Sequence, residues 1–128
     1  MSNPYEKYKS NSVAVVSPEQ LLIMLVDGAV KYTKVARLAL IKGDKERAHK
    51  ELLRVQEIFG ELIATLDVNC GEFAKELLII YSCIRQKLIE ANIKKDVAII
   101  DEVLPLIEQV RDTWHEVKKA YDQQVNRK

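Results

Sequence analysis

From Ala48 to Leu66 apolar side chains recur at alternating steps of four and three residues, through Leu52, Val55, Phe59 and Leu62. The alternation returns between Ile100 and Tyr121, through Val103, Ile107, Val110, Trp114 and Val117. Such a seam keeps one face of a helix turned toward a neighbour, which is the packing of bundles with shallow crossing angles. Only four Gly and three Pro interrupt the 128 residues, which excludes a turn-rich all-β domain and a disordered linker. A chain of this length has room for one core.

Punctuation divides the sequence into an arm, residues 1–16, and four helical segments at about 17–41, 44–67, 71–92 and 96–124. Ser17-Pro18-Glu19-Gln20 combines an N-cap serine, a proline at the first helical position and a glutamine that completes a capping box. Gly43 suits the left-handed end of the first helix and Asp44 caps the second. Asn69 with Glu72 is expected to cap the third, and Asp96 the fourth. The connections are a few residues long, so consecutive helices must fold back on one another. The expected architecture is an all-α, antiparallel up-down-up-down four-helix bundle with the arm packed on it. Gly28 and Gly60 fall inside helices, where close helix–helix approach would account for them, and Pro105 predicts a kink in the last helix.

Helices one and three carry more apolar residues than one seam needs. Fifteen of the twenty-one residues from Leu21 to Ile41 are apolar, and Leu77 to Tyr81 has no polar break. A helix apolar on most sides must be buried on most sides. The arm, a second copy or a partner protein would have to cover the surplus. The candidate groove comprises Leu22, Leu25, Val26 and Ala29 on helix one with Leu77, Ile80 and Ile84 on helix three. Tyr5 and Tyr8, with Val13, stand in an arm too short to have its own core, and such aromatics suit docking on apolar surface.

Charge and motifs narrow the function by exclusion. Twenty Lys and Arg oppose nineteen Asp and Glu, a net charge of +1, which argues against nucleic-acid binding and against a polybasic membrane binder. Neither a secretory signal nor a membrane span is expected. Cys70 and Cys83 have no metal spacing; both are expected as reduced thiols, Cys83 as a small core residue. Glu46-x-x-His49 and Asp112-x-x-His115 imitate half of a di-iron site. On parallel helices, however, their histidines would be roughly 20 Å apart along the bundle. Both are expected as solvated flank residues. With no phosphate loop, HExxH or nucleophile elbow, no catalytic residue, metal or cofactor is expected.

The ordered set Asn3-Pro4-Tyr5-x-x-Tyr8, Ser17-Pro18-Glu19-x-Leu21-Leu22-x-Met24-Leu25-x-x-Gly28-Ala29, Leu66-Asp67 with Gly71-Glu72, Glu90-Ala91-Asn92-x-Lys94-x-Asp96 and Trp114 resembles the flagellin-specific secretion chaperone family, FliS. The resemblance covers residues 3 to about 117 and departs where Cys70 replaces the first glycine of a Gly-Gly pair and at Pro105. It implies a cytoplasmic antiparallel four-helix bundle that binds the C-terminal segment of flagellin, prevents premature polymerisation and delivers the subunit to the flagellar type III export gate. It implies an export-gate protein and, optionally, a co-chaperone as further partners, and a monomer or weak dimer. Tyr5 and Tyr8 match the family's arm, which can lie over part of the client-binding surface. A self-associating structural bundle without a client is the alternative that the residues alone leave open.

Overall fold

The computed structural model describes residues 16–126, and the regular elements among them are all helical. They are α1 (Pro18–Ile41), α2 (Lys45–Thr65), α3 (Glu72–Lys94) and α4 (Val97–Asn126), with one 3-10 turn, Val68–Cys70, between α2 and α3. Each helix packs on the one before it and α4 closes the ring against α1. α1 and α3 therefore occupy one diagonal of the bundle, and α2 and α4 the other.

The helix ends follow from local chemistry. Ser17 Oγ accepts the Gln20 N–H while Gln20 Oε1 accepts the Ser17 N–H, each at 3.1 Å, so both backbone donors are satisfied at the start of α1. Gly43 turns the chain at φ +81°. Asp44 accepts from the Arg47 N–H, and Asp96 from the Ala98 N–H at 2.9 Å. The third start differs from expectation. Asp67 caps the 3-10 turn through the Asn69 N–H, and α3 begins only after Gly71, at φ +114°, with no side-chain cap. The chain must reverse sharply after the 3-10 turn, and that backbone conformation is open to glycine rather than to Asn69. At the other end, Lys95 closes α3 in the left-handed region and its amine donates to Asn92 Oδ1 at 2.7 Å. His49 Nδ1 lies 3.1 Å from the same oxygen.

Both seams are buried as far as the bundle is four helices deep. Leu52, Val55, Phe59, Ile100, Val103 and Ile107 are fully enclosed. α1 conceals most of its surplus because it is flanked on both sides, by α2 and by α4. Its small residues Ala29, Ala36 and Ala39 let those neighbours approach. Only Met24, Leu38 and Ile41 remain exposed among its large apolar residues. α3 conceals less, as Ile79 (69% exposed) and Ile93 (77%) show.

Two ion pairs and one histidine–carboxylate hydrogen bond join α1 to α4: Arg37–Asp101 at 2.5 Å, Lys34–Glu108 at 3.9 Å and Asp27–His115 at 2.6 Å. Exposed pairs contribute little individually, about 0–1 kcal/mol, but three such contacts along one seam fix its register. α4 continues through Pro105, whose exposed position leaves the Asp101 carbonyl open to water.

The helical glycines have different environments. A Cβ on Gly28 would meet the Tyr32 ring at 3.3 Å and Ile58 at 3.7 Å, so the crowding comes first from its own helix. A Cβ on Gly60 would meet only Arg85 Nε, at 3.8 Å, which is ordinary contact. Close helix approach therefore does not explain Gly60. Gly60→Ala is expected to stabilise the fold by about 0.5–1 kcal/mol through helix propensity, raising the thermal midpoint by a few degrees. Calorimetric melting checks this, and a lower midpoint would show a hidden clash.

Candidate functional site

Between α3 and α4 the apolar surface is continuous from the core to solvent. Phe73 and Ile80, seven residues apart, share the α4-facing flank of α3 and are 53% and 42% exposed. Leu106 and Trp114 on α4 are half-buried against the core, and Val117 and Tyr121 are exposed. One cross-strut, Lys87–Glu102 at 3.1 Å, closes the end of this cleft nearest the α3–α4 turn. Lys87 has its pKa raised by the hydrogen bond to Glu102 and by its charge.

The other end is open because the helices differ in length. α4 has 30 residues and α3 has 23. Phe73, in the first turn of α3, packs edge-to-face on Trp114 with ring centroids 6.3 Å apart. Beyond Trp114, α4 has no α3 alongside, and the seam positions Val117 and Tyr121 lose the neighbour that buries their counterparts Val103 and Ile107. From Leu106 to Tyr121 the cleft extends about 22 Å, the length of roughly four helical turns.

Aromatic contacts tie this surface to the interior. Phe73 touches Trp114, the Trp114 indole N–H donates to the Tyr81 hydroxyl at 2.8 Å, and Tyr81 packs on Phe59 with centroids 5.9 Å apart. Burial pushes the Tyr81 hydroxyl pKa up, and the indole N–H opposes this less strongly.

The groove expected between helices one and three is not a surface in this arrangement. Val26, Ala29, Leu77 and Ile84 are buried core residues, and Leu22 and Leu25 are half-buried against them. α1 and α3 are diagonal, so what lies between them is the bundle interior. Ile80 alone of that set is exposed, and it belongs to the α3–α4 cleft. Tyr5, Tyr8 and Val13 lie outside the described residues. Cys83 is exposed rather than in the core, because it points away from the Leu77–Ile84 seam. Cys70 is also exposed, and the Asp67 carboxylate beside it raises its thiol pKa through a hydrogen bond and charge. His49 and His115 are exposed and engage Asn92 and Asp27. Among the described residues no group of three metal-binding side chains converges, and no helix is long and apolar enough to cross a membrane.

Trp114, Val117 and Tyr121 were readable as seam residues but not as surface. The signal is the length of the last helical segment, which exceeds the third by about two turns.

The family described as Flagellar protein FliS matches residues 1–121. The chain belongs to the FliS family. The flagellar secretion chaperone FliS of Bacillus subtilis strain 168 is 34% identical over 114 residues, 89% of this chain and 85% of that protein. The Salmonella typhimurium FliS chaperone is 33% identical over 109 residues, covering 84% and 81%. The Campylobacter jejuni FliS chaperone is 32% identical over 114 residues, covering 88% and 89%. A crystal structure described as a flagellar chaperone from bacteria shares the fold, with a TM-score of 0.72 and 15% identity over 91% of this chain and 95% of that one. The structure is thus that of a flagellar export chaperone family member, and the FliS bundle carries its cleft where α3 stops short of α4.

In this FliS chain Tyr81→Phe should cost about 1 kcal/mol near neutral pH, because Trp114 loses its acceptor. The raised Tyr81 pKa adds a second effect. Above about pH 10 the unfolded state ionises at Tyr81 before the folded state does, so that part of stability is present below this range and lost as pH rises through it. The variant should therefore lose less stability than the parent between neutral and pH 10.5. Urea unfolding at both pH values checks this; a parallel loss in the two proteins would contradict it.

Proposed function

We propose that this chain is a cytoplasmic export chaperone that holds the C-terminal segment of flagellin, prevents its premature polymerisation and delivers it to the flagellar type III export gate. The α3–α4 cleft carries this reading: a row of exposed and half-buried apolar residues, continuous with the core, in a member of a chaperone family. A client segment folding as an amphipathic helix would lay its apolar face over Phe73, Ile80, Trp114 and Val117. Its ordering cost reduces the net affinity, which suits a client that must later be released. Chain neutrality fits a partner held mainly by apolar contact rather than by charge.

Ile80→Glu, at an exposed position, should weaken binding to a flagellin C-terminal peptide by at least about tenfold, since it sets a charge against an apolar helix face. Lys31→Glu, on α1 and away from the cleft, should change it little. Calorimetric titration distinguishes them, and equal effects would place the client elsewhere.

The arm, with Tyr5, Tyr8 and Val13, is proposed to cover part of the same surface when no client is bound. Affinity is then reduced by the fraction of time the arm is docked. Deleting residues 1–12 should tighten peptide binding, or leave it unchanged if the tyrosines also contact client. A large loss would refute the covering role.

A further inference from the structure

The near-neutral chain is electrically polarised. From Lys31 to Arg54 eight Lys and Arg oppose three acids, whereas α4 carries three Lys and Arg against six acids. Two of the eight, Lys34 and Arg37, face α4 and are paired there. Others line the outer face where α1 meets α2. Lys31, Val35, Leu38 and Lys42 follow one stripe of α1 at steps of four, three and four; Arg47, Lys50 and Arg54 follow one stripe of α2 at three and four.

The stripes converge on Tyr32. Arg54 Cζ lies 4.0 Å from the ring centroid and Lys31 Nζ 5.9 Å from it, and Arg54 also donates to the Tyr32 hydroxyl at 3.2 Å. The acids of this face neutralise only part of it. Glu51, buried, pairs with Arg54 at 3.4 Å and Glu46 pairs with Lys50 at 4.0 Å, while Asp44 is used as a helix cap. Lys31, Lys42 and Arg47 form no ion pair among the described residues. Arg47 also occupies the first turn of α2, where the helix dipole disfavours a cation. Its placement therefore opposes helix stability and calls for another cause.

We propose that this α1–α2 face is a docking surface for an acidic amphipathic segment of a protein partner, on the opposite side of the bundle from the α3–α4 cleft. Charge complementarity identifies the sign of the partner, and apolar residues identify its class. Leu38 is 51% exposed and Val35 half-buried within the α1 stripe, between Lys31 and Lys42, so the surface offers apolar positions flanked by positive charge. A helix with glutamates or aspartates beside a leucine-like ridge matches it. A nucleic acid presents phosphates without such a ridge, and the acidic α4 would repel a duplex that extended around the bundle. The proposal stands apart from the client reading, since no residue is shared between the two surfaces.

The test is calorimetric titration of the full chain with three probes. One is a synthetic helical peptide with leucines at i, i+3, i+4 and i+7 and glutamates elsewhere; the second replaces every glutamate by glutamine; the third is a short DNA duplex. The acidic peptide should bind at least about tenfold tighter than its glutamine counterpart, with affinity falling as salt rises. The double variant Lys31→Glu, Arg47→Glu should lose about tenfold in that affinity, with a melting temperature no lower than the parent's and unchanged binding of the flagellin peptide. Ile80→Glu should leave the acidic peptide unaffected. Equal binding of the two peptides, or unchanged affinity in the double variant, overturns the proposal. Tighter binding of the duplex than of the acidic peptide overturns it in favour of a nucleic-acid surface.

Discussion

The bundle depends on how α1 is enclosed. A helix that is apolar around most of its circumference needs neighbours on two sides, and α1 has them in α2 and α4. Val26, Thr33 and Ala36 reach the centre, and the Thr33 hydroxyl is satisfied by donating to the Ala29 carbonyl at 2.7 Å. With α1 so placed, α3 must occupy the opposite corner. Its neighbours are the same two helices, but its own outer positions hold isoleucine and phenylalanine where α1 has lysine.

The joints of the ring are consequently unlike. α1–α4 is bridged by two ion pairs and the Asp27–His115 hydrogen bond, and α1–α2 by the stacking of Arg54 on Tyr32. α3–α4 has one strut at its closed end and an aromatic pair at its open end. Such pairs add little to stability singly, yet their distribution determines which joint has polar rims and which has bare apolar ones. A segment that displaced Phe73 from Trp114 would break no ion pair and would free no buried polar atom. An apolar guest therefore meets least resistance there.

Much of this was legible in the sequence because local chemistry and global packing agree. The Ser17–Gln20 box, Gly43, Asp44 and Asp96 signal their helix ends directly, and the four-three seams determine which faces of α2 and α4 turn inward. Asn69 misleads because the reversal before α3 depends on a backbone conformation, which Gly71 alone can supply. Val26, Ala29, Leu77 and Ile84 mislead for a different reason. Apolar surplus within one helix cannot reveal whether its neighbours flank it on one side or two. That follows from ring closure, in which α4 returns to α1. Conversely, Val117 and Tyr121 continue a core seam, and only the shorter α3 turns them into surface.

The two proposed surfaces differ in the physics of release as well as of binding. An apolar cleft retains its guest across a wide range of salt and pH, so a client there would be dislodged by competition for apolar area. A face of lysines and arginines with few counter-charges holds its guest by long-range attraction, which is fast to form and sensitive to ionic strength. Because the faces are opposite and share no side chain, either can be filled without obstructing the other. A partner recruited through Lys31 and Arg47 could thus stay bound while the client leaves the α3–α4 cleft. Under the proposed function, that separation would let the chaperone give up its cargo without being carried along with it.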